Sequence, residues 1–305
     1  MGNRIVSFIF FANYFVGLLA VALSVETAVQ LGLPFNSVGY YLLLFAATVF
    51  YYTFAYSVPE TQQVSANPRT EWYRTHASFI RRSQAVLLVF CVGMSAWFLV
   101  KYFSKILTLP VYYWLLLAGV TLAAVLYYGL LPQSFIKLNL RRTGWFKAFV
   151  IGFVWAGCVN LFPITMLKLE KNIVIQEPLI VLWLFIKNWM FCTVNAIMFD
   201  IKDYDDDANI ELKTFAVRFG LRSTIFYVLI PLMLVGIVSF LVFASYRHFS
   251  LVARFFNMIP FLGMLLVAFS LQKPRKILYY LIVIDGLLLL KAVCGMAGSY
   301  FGGHF

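Results

Sequence analysis

The sequence predicts an all-α integral membrane protein in which nine helices cross the bilayer, with the N-terminus in the cytoplasm. Three observations carry this. The 305 residues are 63% apolar and only 12% charged, whereas a soluble domain is about 45–50% apolar and about 25% charged. Nine windows are long and apolar enough for the roughly 20 residues that a crossing helix needs. Finally, 16 of the 24 Lys and Arg fall in connections on one side of those windows and 6 on the other, with Lys187 and Lys291 inside them. By the positive-inside rule the richer side, which includes the N-terminus, is cytoplasmic.

The windows run at about 5–25, 34–57, 83–103, 110–131, 148–167, 176–199, 223–245, 251–271 and 277–299. Pro34, Pro110 and Pro178 stand at starts and Pro132 at a stop. Arg4, the apolar run 8–19 and Ala20-Val21-Ala22 also fit a cleaved signal peptide loosely; the thin basic region and the eight further spans favour a retained first helix. The net charge of +12 lies between apolar spans rather than in a stripe. It therefore reads as membrane-border charge, with lipid as the partner and no nucleic acid. Cys91, Cys158, Cys192 and Cys294 all fall in apolar segments without metal-ligand spacing, which reads as buried thiols.

Two cytoplasmic connections, about 57–82 and 200–222, are longer than the rest, and long loops tend to carry function. The second holds six of the twelve acidic residues: Asp200, Asp203, Asp205, Asp206, Asp207 and Glu211. On a helix Asp200, Asp203 and Asp207 fall within about 60° of one another, while Asp205 and Asp206 point elsewhere. Three carboxylates on one face repel unless a cation joins them, and oxygen ligands suit magnesium bridging to phosphate. A calcium loop fails on Ala208 and Thr214, where glycine and glutamate are needed. A solvated acidic loop is the plainer alternative.

The string Asp200-Ile201-Lys202-Asp203-Tyr204-Asp205-Asp206-Asp207, continued by Thr214-Phe215-Ala216-Val217-Arg218-Phe219-Gly220, resembles the second aspartate motif of the UbiA-type intramembrane prenyltransferases, DxxDxxxD with its Thr-Leu-Ala-Val-Arg-x-Gly-like tail. The wording is most similar to the menaquinone-type branch. The segment Arg141-Arg142-Thr143-Gly144-Trp145-Phe146-Lys147 before the fifth span and the two long connections are similar as well. The resemblance implies a single UbiA-like domain over 1–305 in a bacterial inner membrane. It implies Mg2+ as cofactor, an isoprenyl diphosphate as donor and an aromatic or other lipid-pathway acceptor. Metal charge stabilises the departing diphosphate, basic residues hold it, and a dry aromatic cavity protects the allylic cation.

The family's first aspartate motif has no counterpart. Tyr51-Tyr52-Thr53-Phe54-Ala55-Tyr56-Ser57-Val58-Pro59-Glu60 stands in its place, and Tyr56 and Glu60 take the DxxxD positions. After the fourth span Tyr128 is followed by Pro132 where the family has lysine, and Glu211 replaces a common glycine. The expected site therefore has Asp200, Asp203, Asp207 and Glu60 as metal ligands. Arg69, Arg74, Lys213 and Arg218 bind diphosphate, and Asn195, Tyr56 and Tyr128 line the cavity. A UbiA-fold protein that binds isoprenoid or quinone-like lipid without chemistry, or acts as a membrane assembly partner, remains the alternative.

Elsewhere, Lys187 is expected to pair with Asp285 near mid-bilayer as a structural ion pair. Asn195 is expected to bond between helices. The stretch 70–82 has Trp72, Tyr73, His76, Phe79 and Ile80 at helical spacing, which reads as an interfacial anchor.

Overall fold

The computed structural model describes residues 2–57, 68–128, 140, 143–204, 207, 212–273 and 275–302, and among them only helices and their connections occur. The chain divides into two compact units: Met1–Val21, Asn36–Leu109 and Met166–Ile173 form one, and Ala22–Phe35, Pro110–Thr165 and Val174–Phe305 the other.

The first unit is organised around a break in the chain. Helix α1 (Gly2–Phe11) and helix α2 (Tyr14–Gln30) meet at a bend of 63°, with Asn13 at φ 63°. Asparagine is one of the few residues that visit this left-handed region readily. The last carbonyls of α1 have no intrahelical partners, and the chain supplies them. Arg69 and Tyr73 of α4 (Pro68–Thr75) donate to the Phe11 carbonyl at 3.0 and 2.8 Å. Asn13 accepts from Arg69 at 2.6 Å and donates to Thr53 of α3 (Val38–Ser57) at 3.0 Å. Helix α5 (Ala77–Lys101) follows, then the short α6 (Phe103–Leu107). Along α5, Val86, Val89, Val92 and Val100 are exposed, as befits a helix whose solvent is lipid. His76, between α4 and α5, is exposed and stacked on Trp72 at 4.5 Å.

The second unit holds α7 (Val111–Tyr128), α8 (Phe146–Lys171) as far as Thr165, α9 (Pro178–Lys202), the short α10 (Phe215–Phe219), α11 (Leu221–Tyr246), α12 (Leu251–Ser270) and α13 (Ile277–Gly302). Single π turns interrupt α8 at Gly157–Leu161, α11 at Ile225–Leu229 and α13 at Tyr280–Ile284. Apolar lipid offers little drive for helices to associate, so close approach of backbones matters. Gly152 provides it: a Cβ there would lie 2.7 Å from the Trp189 carbonyl and 2.8 Å from the Thr193 nitrogen of α9. The indole of Trp189 returns a hydrogen bond to the Phe149 carbonyl at 2.9 Å.

Among the described residues, six helices are long and apolar enough to cross a membrane: α5, α8, α9, α11, α12 and α13. The bent α1–α2 pair makes a seventh if taken as one span. The other two apolar windows hold α3 and α7, whose apolar stretches are shorter. The four cysteines are free; Cys192 and Cys294 are buried, and Cys91 and Cys158 are half-buried rather than fully enclosed.

The interior of the second unit corrects one expectation. Lys187 does not pair with Asp285. Its ammonium donates to Asn257 Oδ1 at 2.7 Å and lies over the rings of Trp183 and Phe240, while Lys291 pairs with Glu26. Depth alone suggested the wrong partner. Asp285 and Lys291 are six residues apart, so they project roughly 120° apart on α13, and Glu26 lies just past the first apolar window. Gln30 joins Glu26 at 3.0 Å. Beside them Asn160, in the π turn of α8, accepts from Thr27 and Asn188 at 3.2 and 3.1 Å.

Candidate metal and diphosphate site

Helix α9 ends at Lys202, and Asp203 is its C-cap, with φ −92° and ψ 13°. Beyond it Tyr204 and Asp207 are again helical. The Asp207 nitrogen donates to the Asp203 carbonyl and the Leu212 nitrogen to the Asp207 carbonyl, each at 2.8 Å. Thr214 then caps α10, its hydroxyl accepting from the Val217 nitrogen at 3.3 Å. Asp207, two helical turns on from Asp200, lies on the side that carries Asp200, and both carboxylates are buried.

Opposite them stands Lys147, in the first turn of α8. Gly144 sets its position. The glycine has φ 65°, and a Cβ there would be 2.4 Å from the Lys213 carbonyl, so only glycine lets the turn before α8 lie against the 212–214 strand of chain. Trp145 and Phe149 pack on Phe215 from the same side. The Lys147 ammonium is 3.1 Å from Asp200 Oδ1 and 2.9 Å from Asp207 Oδ2. The other oxygen of Asp200, Oδ2, is buried without a hydrogen-bond donor. Burial pushes the Asp207 carboxyl above its ordinary value, against the opposing pull of Lys147.

The structure thus brings together two of the three aspartates expected on one face. Asp203 turns to an ion pair with Lys202 and is more exposed. The physical reason is the turn at Asp203: it caps α9 and its side chain leaves the phase that Asp200 and Asp207, two turns apart, keep. Among the described residues, no three His, Cys, Asp or Glu side chains converge as a metal site. Glu60, Asp205 and Asp206 lie outside the described residues.

The other expected residues are placed as follows. Lys213 and Arg218 are exposed on the same connection, with Arg218 over the Phe219 ring at 5.3 Å. Arg69 is buried in the first unit, where it braces the α1–α2 break, and Arg74 is exposed and paired with Glu71 at 2.9 Å. Asn195 donates to the Ile284 carbonyl at 2.8 Å and so joins α9 to α13. Tyr56 and Tyr128 stand at the ends of α3 and α7. Lys147 was not among the expected site residues. Its signal in the sequence was its place at the end of the 141–147 segment, which resembles the family's entry to the fifth span.

An apolar groove of about 270 Å³ runs along α8, lined by Leu140, Phe146, Phe149, Phe153 and Trp189, with Ala123 and Val150 completing it; Phe146 and Val150 are one and three residues from Lys147 in the chain. A polar, anionic corner next to an aromatic groove is the arrangement expected for a ligand with a charged head and an apolar tail. Comparison with known proteins agrees: the model of the UbiA prenyltransferase family matches residues 65–278.

The chain belongs to the UbiA prenyltransferase family.

UbiA membership implies intramembrane prenyltransferase activity on an isoprenyl diphosphate and a lipid or aromatic acceptor. No curated protein and no solved structure matches the chain. UbiA prenyltransferases generally use Mg2+, and the donor chemistry here fits such an ion. Asp200 and Asp207 present hard oxygen ligands to one point, and the unpartnered Asp200 Oδ2 calls for a cation or a donor.

Proposed function

We propose that the protein transfers an isoprenyl group from a polyprenyl diphosphate to an aromatic or other lipid-pathway acceptor, with Mg2+, at a cytoplasmic-facing intramembrane site. The observation that carries this reading is the meeting of Asp200, Asp207 and Lys147 beside the aromatic groove of α7, α8 and α9. A bound magnesium ion would supply charge stabilisation to the leaving diphosphate. The chain's own residues do the rest. Asp200 and Asp207 would hold that ion, and Lys213 and Arg218 on the same connection offer further positive charge to a diphosphate. Phe146, Phe149, Phe153 and Trp189 take the isoprenoid tail and keep water from the reacting carbon. The allylic C–O bond breaks with its electron pair leaving on diphosphate. The acceptor then supplies the pair for the new bond and loses a proton.

The same reading takes residues 1–305 as one prenyltransferase domain with nine spans, in a bacterial inner membrane with the N-terminus inside. The charge bias of 16 against 6 supports that orientation. A second reading is favoured by one specific feature: 51–60 contains no aspartate where UbiA proteins have their first motif. On that reading the fold binds an isoprenoid or quinone-like lipid without turnover. Incubating the purified protein with radiolabelled isoprenyl diphosphates, Mg2+ and a panel of aromatic acceptors separates the two. Prenylated product supports the transferase, and tight binding without product across the panel supports the binding protein.

A further inference from the structure

We propose that Lys147 is a tethered cation that competes with the divalent metal for the carboxylates of Asp200 and Asp207. It holds the two together when no metal is bound and releases them when the metal arrives. The inference deepens the proposed transferase function and rests on its reading of Asp200 and Asp207 as metal ligands.

The argument is one of charge and geometry. Two buried carboxylates side by side repel strongly where water cannot screen them. Lys147 reaches one oxygen of each, at 3.1 and 2.9 Å, so a single positive charge serves two negative ones. A single ammonium faces two carboxylates, and Asp200 Oδ2, on a residue only 4% exposed, has no donor. A divalent cation corrects both deficits at once, because it balances both carboxylates and accepts more oxygen ligands than an ammonium can serve. It must take the oxygens that Lys147 now contacts. The lysine is suited to yield them: its charge rides on a four-carbon stem that can swing away, while Gly144 and the α8 backbone keep its root in place. Once displaced, the ammonium stays near the metal, where an incoming diphosphate is its natural partner.

The test uses the full-length protein in detergent and Mn2+ alone, read by the electron paramagnetic resonance signal of free Mn2+. Lys147→Gln removes the competitor and should bind Mn2+ about tenfold or more tightly than wild type. Lys147→Arg keeps the charge and should stay near the wild-type affinity. If Lys147→Gln fails to fold, amine labelling of the wild type read by mass spectrometry replaces it, and modification of Lys147 should rise when Mn2+ is added. Equal or weaker Mn2+ binding by a folded Lys147→Gln, or labelling of Lys147 unchanged by Mn2+, overturns the competition while leaving the metal site standing if wild type binds. Absence of Mn2+ binding in wild type and variant alike overturns both the competition and the metal-dependent reading beneath it.

Discussion

The ammonium of Lys291 lies 2.5 Å from Oε2 of Glu26, 265 residues earlier in the chain, with side chains only 2% and 0% exposed. The pair ties α2 to α13 inside the second unit, and Gly295 makes room for it. A Cβ at 295 would meet Glu26 Oε1 at 2.2 Å and Gln30 Nε2 at 2.4 Å. Buried ion pairs are weak evidence for stability, because desolvation offsets the attraction, but losing one partner strands the other charge.

Glu26→Gln or Lys291→Met alone should therefore destabilise the protein by about 3–5 kcal/mol, while the double substitution Glu26→Leu with Lys291→Met should recover most of that loss. Thermal unfolding of the three variants in detergent measures it. Equal destabilisation by the single and double variants would show that packing, not stranded charge, sets the effect.

Asp200→Asn and Asp207→Asn should each lower prenyl transfer by about 100-fold or more, the usual scale for losing one group that stabilises charge in the transition state. Asp203→Asn should cost less, because that carboxylate faces Lys202 and is more exposed. Initial rates at saturating Mg2+ and donor give the comparison, and a larger loss at Asp203 would contradict the observed placement.

Gly144→Ala should impair both folding and turnover. The methyl would collide with the Lys213 carbonyl at 2.4 Å, in a backbone conformation that alanine resists. A melting temperature and a specific activity both equal to wild type would exclude Gly144 as the residue that sets Lys147 in place.

A cysteine introduced at Arg218, in a variant lacking the four native thiols, should resist a membrane-impermeant maleimide added to intact cells, while one at Lys171 should react. The proposed topology puts these residues on opposite sides of the membrane. The reverse labelling pattern would invert the topology and move the proposed site to the other face.

The membrane class of this protein was legible from composition, because only lipid tolerates so apolar a chain and because lysine and arginine sort by side. Most of the helices followed from apolar windows of the right length. The acidic string at 200–207 was legible as a site because six carboxylates in twelve residues need a reason to be together. Which carboxylates meet was legible only in part. Helical phase grouped Asp200, Asp203 and Asp207; Asp200 and Asp207 do share Lys147, but Asp203 caps α9 and pairs with Lys202. Lys147 enters the site from sixty residues earlier through a turn that only Gly144 permits. Glu26 finds Lys291 across 265 residues, although depth in the bilayer had suggested Asp285 as the buried acid. Sequence periodicity is local and reports which face of one helix is polar. The partner that a buried charge takes depends on how several helices pack around it, and that is decided only in three dimensions.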